Sequence, residues 1–148
     1  KRGELLTRHK DNAVLTLMNL KTEVETDFNI IPPNSTLGDL VKVVSLSKRN
    51  LFPVVDEEGV LCGVITLDLI REIMFKPEMY LDVMVESLMV LPRDFISVHD
   101  SMDEVMKKFT VSNAWNLPVL ENDKYVGFVS KSKLFNAYRK MLINFSEE

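Results

Sequence analysis

The sequence predicts a mixed α+β fold, of the repeating α/β type, built from two copies of one strand-helix-strand-strand-helix unit. Three observations carry this. The first is an internal duplication. Shifted by 65 residues, Thr36-Leu37-Gly38-Asp39-Leu40-Val41-Lys42 falls on Ser101-Met102-Asp103-Glu104-Val105-Met106-Lys107, and Phe52-Pro53-Val54-Val55 falls on Leu117-Pro118-Val119-Leu120. The offset then drops to 64, and Gly63-Val64-Ile65-Thr66 falls on Gly127-Phe128-Val129-Ser130. The second is that short apolar runs and apolar residues at helical spacing follow in the same order in both copies. The third is composition: 46% apolar and 27% charged residues suit a soluble packed chain, and no apolar run reaches the roughly eighteen residues of a membrane span.

Each copy opens on a predicted strand, 28–31 in the first and 95–98 in the second. A helix start follows. Thr36 with Asp39, and Ser101 with Glu104, have capping-box spacing, the first only loosely because Asp is shorter than Glu. Leu37, Leu40, Val41 and Val44, and Met102, Val105, Met106 and Phe109, then recur as one apolar stripe of an amphipathic helix. A strand pair comes next: 52–55 and 60–66 around the polar turn Asp56-Glu57-Glu58-Gly59, and 117–120 and 125–130 around Glu121-Asn122-Asp123-Lys124. A second helix closes each copy. In the first it runs from about Leu67 to Phe75 and stops near Pro77; in the second Leu134, Phe135, Tyr138, Met141 and Leu142 mark it. The expected division is a partly helical lead-in over 1–19, a first repeat over 20–78 and a second over 79–148. A unit of roughly fifty residues buries too little surface to be comfortable alone, so the copies are expected to pack as one pseudo-twofold domain.

Several function classes are disfavoured. A net charge of −4 argues against a general nucleic-acid partner. One cysteine, Cys62, allows no internal disulfide, and a buried structural thiol is its default role. His9 and His99 are far apart, so no Cys/His cluster with metal-ligand spacing forms. No nucleophile sits in a recognisable elbow, and an enzyme is not expected. The chain begins Lys1-Arg2-Gly3, which reads as a piece of something longer.

The order of elements, with Gly-apolar-apolar-Thr/Ser after an apolar-Pro-Val strand, resembles the CBS domain in tandem, the arrangement called a Bateman module. The resemblance runs from about residue 20 to 142, and repetition of weak motifs in one order makes it specific. The lead-in Leu5-Leu6-Thr7 and Lys10 to Met18, with 70–75 and 134–139, looks similar to the cytoplasmic region of bacterial ClC chloride channels and transporters. Lys1, Arg2, Arg8 and Lys10 stand against a single acid, Glu4, in the first ten residues; the rest holds fourteen basic and twenty-one acidic residues. A basic start beside a membrane helix is what the positive-inside rule expects of a cytoplasmic face. The resemblance thus implies a cytoplasmic regulatory and dimerisation pair, a homodimer, with a membrane domain N-terminal to residue 1. The alternatives are the pair of a divalent-cation transporter, for which Asp56-Glu57-Glu58 is the obvious acidic cluster, and the adenylate sensor of a soluble enzyme.

The resemblance also implies candidate ligand positions. Ile31, Phe52 and Pro53, with Ile96, Leu117 and Pro118, are candidate cleft walls for an adenine nucleotide, each equally suited to the core. Thr66 and Ser130 are candidate phosphate contacts. Ligand-binding relatives carry an aspartate three residues after the Thr/Ser, to accept from ribose hydroxyls. Here those positions are Leu69 and Lys133, and Asp68 comes one residue early, about a hundred degrees round a helix. Lys131 and Lys133 are candidate phosphate partners, and Trp115 a candidate interface anchor. Any nucleotide is therefore expected to bind weakly.

Overall fold

A computed structural model describes residues 13–147. Leu5 to Thr7, Lys10 to Asn12, His9 and the basic start lie outside the described residues. The chain divides into two compact units. A first-repeat unit comprises residues 26–92 with 122–125, and a second-repeat unit comprises 13–25, 93–121 and 126–147.

In the second-repeat unit the lead-in forms a short helix α1 over residues 13–17 and a single turn α2, Leu20–Glu23, capped by Asn19. In the first-repeat unit the helix α3, Leu37–Leu46, starts at the expected cap. Thr36 Oγ1 accepts from the Asp39 N–H at 3.1 Å, and Asp39 Oδ2 accepts from the Thr36 N–H at 3.1 Å. The shorter Asp therefore closes a full reciprocal box. These bonds outweigh a small desolvation cost and hold the Asp39 carboxyl below its ordinary range.

Strands β1, Leu51–Val55, and β2, Leu61–Thr66, pair antiparallel with a bulge between Val54 and Val55. Their turn needs Gly59, whose φ of +85° an L side chain rarely adopts. Asp56 Oδ1 accepts from the N–H groups of Glu58 and Val60. The expected strand at 28–31 contracts to a parallel bridge, Ile31 to Val54. The helix expected over 67–75 is a single α-helical turn, α4, Leu67–Ile70, followed by hydrogen-bonded turns and a 3-10 turn at Pro77–Met79. Proline at its start and the chain reversal required before residue 80 stop a longer helix.

Residues 79–92, assigned from the sequence to the second repeat, pack with the first. Met79, Tyr80, Val83 and Met89 line the cluster formed by Ile31, Leu37, Leu40, Phe52, Val54, Ile65, Ile70 and Val85, the last from the short helix α5, Val85–Leu88.

The second repeat gives β3, Ile96–Ser97, the helix α6, Met102–Ser112, the hairpin β4, Asn116–Glu121, and β5, Lys124–Ser130, then α7, Lys131–Glu147. The sheet order is β3-β4-β5, with β3 parallel to β4. The hairpin turn is tighter than expected. Asn122 and Asp123 both have positive φ, 51° and 67°, as a two-residue I′ turn demands. Helix α6 ends on Asn113 in the left-handed region at φ 56°. Met102, Val105 and Phe109 form its buried stripe as expected. Val14 and Met18 of the lead-in join them in the unit's core, with Ile96, Leu117, Val119, Val129 and Leu134.

Each unit is closed by the opening segment of the other repeat. Val90, ahead of the second repeat's strand β3, exchanges both backbone bonds with Val64 of β2, at 2.8 and 2.9 Å. Glu25, ahead of the first repeat's bridge at Ile31, does the same with Phe128 of β5, at 2.8 and 2.9 Å. The offsets of 65 and 64 that reveal the duplication carry Glu25 onto Val90 and Val64 onto Phe128. This explains the glycine that heads the repeated motif. A side chain on Gly127 would run into the Glu25 carbonyl oxygen, with Val24 Cγ1 2.9 Å away; one on Gly63 would meet Met89 at 3.0 Å.

Candidate ligand positions

The wall residues are spent on the cores. Ile31 and Phe52 are 2% and 0% exposed in the first cluster, and Ile96 and Leu117 are 0% exposed in the second. Pro53 and Pro118 are buried beside them. The reason is register: Phe52 lies opposite Ile65 in the hairpin, Ile31 bridges Val54, and Ile96 pairs with Val119, so each side chain faces its own unit's helix.

The polar candidates sit at two helix starts. Thr66 is the cap of α4, and its Oγ1 accepts from the Leu69 N–H at 3.4 Å. Ser130 repeats this ahead of α7, accepting from the Lys133 N–H at 3.4 Å and meeting Ser132 Oγ at 3.2 Å. Both hydroxyls are thus used in capping. Leu69 is 46% exposed and offers no acceptor. Asp68 does not replace it, because its carboxylate is held by Arg71 at 2.6 Å on the helix surface.

In the second repeat the acceptor position carries a charge of opposite sign, and that charge is taken. Lys133 Nζ lies 3.0 Å from Glu25 Oε1, on the segment that closes the β5 edge. Glu23 stands near the same ammonium. Burial raises its carboxyl above the ordinary range, Lys133 pulls it back and the Glu25 charge raises it further. Lys131 lies over the rings of Trp115 and Phe135, at 5.5 and 5.9 Å. Trp115 itself is 73% exposed. Sequence reasoning missed Glu25. Its signal was present in the offset that puts it on Val90, but the strand partners of both residues lie too far along the chain for local pattern to connect.

Two of the cavities among the described residues were not suggested by the sequence. One of about 500 Å³ lies between Leu15, Thr16, Met18 and Leu20 of the lead-in and Asp100 to Asp103 at the start of α6. In the first-repeat unit the equivalent place is filled: Gly38, the counterpart of Asp103, lies under Tyr80, whose Cβ would be 3.1 Å from a side chain there. Tyr80 corresponds to the smaller Leu15. The other cavity, of about 350 Å³, is lined by Pro32 to Asn34 and Asp56 to Glu58. Asp56 is occupied in shaping its turn, as described, and no group of three potential metal ligands occurs among the described residues.

Cys62 is half-buried and donates weakly to the Val60 carbonyl at 3.6 Å; burial raises its thiol pKa, which disfavours the reactive thiolate. His99 is exposed, and its N–H donates to Ser97 Oγ. No helix among the described residues is long and apolar enough to cross a membrane.

Comparison with known proteins places this architecture. The CBS domain profile matches residues 21–76 and 81–140. The CBS domain-containing protein MJ0729 of Methanocaldococcus jannaschii is 28% identical over 127 residues, covering 84% of this chain and 98% of that protein. The crystal structure of the CBS domain of a CBS domain-containing membrane protein from Sphaerobacter thermophilus superposes with a TM-score of 0.72 at 18% identity, over 93% of this chain and 98% of the other. The CBS domain of a bacterial CNNM/CorC family Mg2+ transporter gives a TM-score of 0.72 at 15% identity, over 86% of this chain and 79% of that one. The chain belongs to the CBS domain family and carries two copies of the domain in tandem.

Proposed function

We propose that this chain is a non-catalytic regulatory CBS pair that biases an ion-transporting membrane domain lying N-terminal to residue 1. The observation that carries the reading is the tandem architecture itself, with each repeat closed by the opening segment of the other. In such a chain the segment leading into the first repeat lies on the edge of the second, and the connector between the repeats lies on the edge of the first. The bias it exerts is limited to its differential interaction free energy with the two states of its host. The host we favour is a ClC-type chloride channel or exchanger. The likeness of the lead-in and of 134–139 supports it, as does the basic start at Lys1, Arg2, Arg8 and Lys10. The pair is then cytoplasmic and works as a homodimer. A second host, a divalent-cation transporter, is supported by the Mg2+ transporter among the structural neighbours.

Full-length protein in liposomes decides between the hosts. Chloride flux altered by deleting the pair supports the first, and Mg2+ flux the second. If deletion alters neither, the regulatory reading fails. Sedimentation at tens of micromolar tests the dimer, and a monomer at 17.0 kDa counts against it.

In this reading the pair is a poor nucleotide receptor. Neither Leu69 nor the Glu25-paired Lys133 accepts from a ribose. A lost bond to a charged group costs about 1.5–3 kcal/mol, so ATP, ADP and AMP bind roughly one to two powers of ten more weakly than to a pair with both acids. Micromolar affinity in calorimetry would refute this.

A further inference from the structure

The two closing segments occupy equivalent places and are held by different chemistry. At the first, Val90 lies on β2 and the residue three after the motif threonine is Leu69. At the second, Glu25 lies on β5 and the corresponding residue is Lys133. Both make the same pair of backbone bonds, and both cross a glycine, Gly127 tight against the Glu25 carbonyl and Gly63 against the flexible Met89 side chain. What differs is an ion pair of 3.0 Å, with the Glu25 side chain 13% exposed and the Lys133 side chain 68% exposed. The ammonium offsets part of the desolvation cost of this largely buried carboxylate, so removing the lysine loosens the segment beyond the loss of one exposed contact.

We propose that residues 24–25 form a strap fastened to the second repeat by an ionic latch, Glu25 to Lys133, and that the equivalent strap at 89–90 is fastened without charge, so that the two open independently. The charged strap is the one continuous with the lead-in, whose Val14 and Met18 sit in the same core. The lead-in is thereby coupled to the second repeat through a contact sensitive to charge. The inference does not depend on which host carries the pair, and its test uses the chain alone.

The test is amide exchange, residue by residue, in the intact chain. In Lys133→Glu the N–H groups of Glu25 and Phe128 exchange about five-fold faster, as reversal of an ion pair predicts, and in Lys133→Ala they accelerate less. The reversed double variant, Glu25→Lys with Lys133→Glu, restores protection. Gly127→Ala abolishes it, since a methyl group cannot share space with the Glu25 carbonyl. Val64 and Val90 stay unchanged throughout, as does Val98, which reports on the sheet of the second-repeat unit through its bond to Leu120. The proposal is overturned if Val98 accelerates together with Glu25, because the segment then opens only with its whole unit. It is overturned equally if Val64 and Val90 follow, or if the reversed pair fails to recover protection.

Discussion

Phe109→Ala tests the energetic centre of the second-repeat unit. Phe109 is fully buried on the third turn of α6, in the cluster that includes Val14 and Met18 from the other end of the chain. A buried aromatic removes about 150–250 Å² from water. At about 25 cal/mol per Å² the transfer contributes about 4–6 kcal/mol, an upper bound because the unfolded chain is partly collapsed. Alanine keeps the first carbon, and the remaining cavity relaxes little among the strands and helices that share the cluster. The expected loss is about 3–5 kcal/mol. Chemical denaturation followed by circular dichroism measures it, with the denaturant slope checked for constancy. Lys107→Ala, exposed two residues earlier, is the control and should change stability by no more than about 0.5 kcal/mol. Val44→Ala, at the equivalent place in α3, should cost less than Phe109→Ala, because Val44 is only half-buried. Equal losses at Phe109 and Lys107 would show that the helix does not present the stripe described here.

Asp100 gives a pH signature. Burial pushes its carboxyl up, but donation from Lys108 at 2.7 Å and from the Ser97 N–H at 3.0 Å outweighs this and leaves the pKa lowered. The stability it contributes is present above the unfolded value, near 3.9, and is lost as pH falls through the lower folded one; Asp100→Asn should flatten that acid limb of the denaturation midpoint. At the hairpin turn, Asn122→Val should cost roughly 1–2 kcal/mol because a β-branched residue resists positive φ. Asp123→Gly should leave the melting temperature unchanged or raise it.

The repeated unit was legible because its signals are local. Thr36 and Ser101 are followed by regular apolar stripes, and both helices start within a residue of expectation. The glycine of each motif was visible, though its reason was not, since the atoms that exclude a side chain belong to Glu25 and Met89. The helix after β2 was overread. Ile70, Ile73 and Met74 continue the helical period, but Pro77 and the packing of Tyr80 over Gly38 turn the chain instead. The ligand positions were half legible. The absence of an acid at Leu69 and Lys133 is a fact of sequence, whereas the pairing of Lys133 with Glu25 required the fold.

The exchange of closing segments also sets the order in which the protein can mature on the ribosome. Val14, Met18 and Glu25 are synthesised first, yet their partners Phe109, Val129 and Phe128 emerge last. The second-repeat unit therefore cannot close until nearly the whole chain is free, and its contacts are long in sequence, which slows folding. The first-repeat unit makes its own edge bond between Val64 and Val90 and waits only for residues 122–125. A nascent chain stalled after residue 92 thus holds a nearly complete first unit with an unburied apolar lead-in before it, which gives chaperones a defined segment to bind during synthesis.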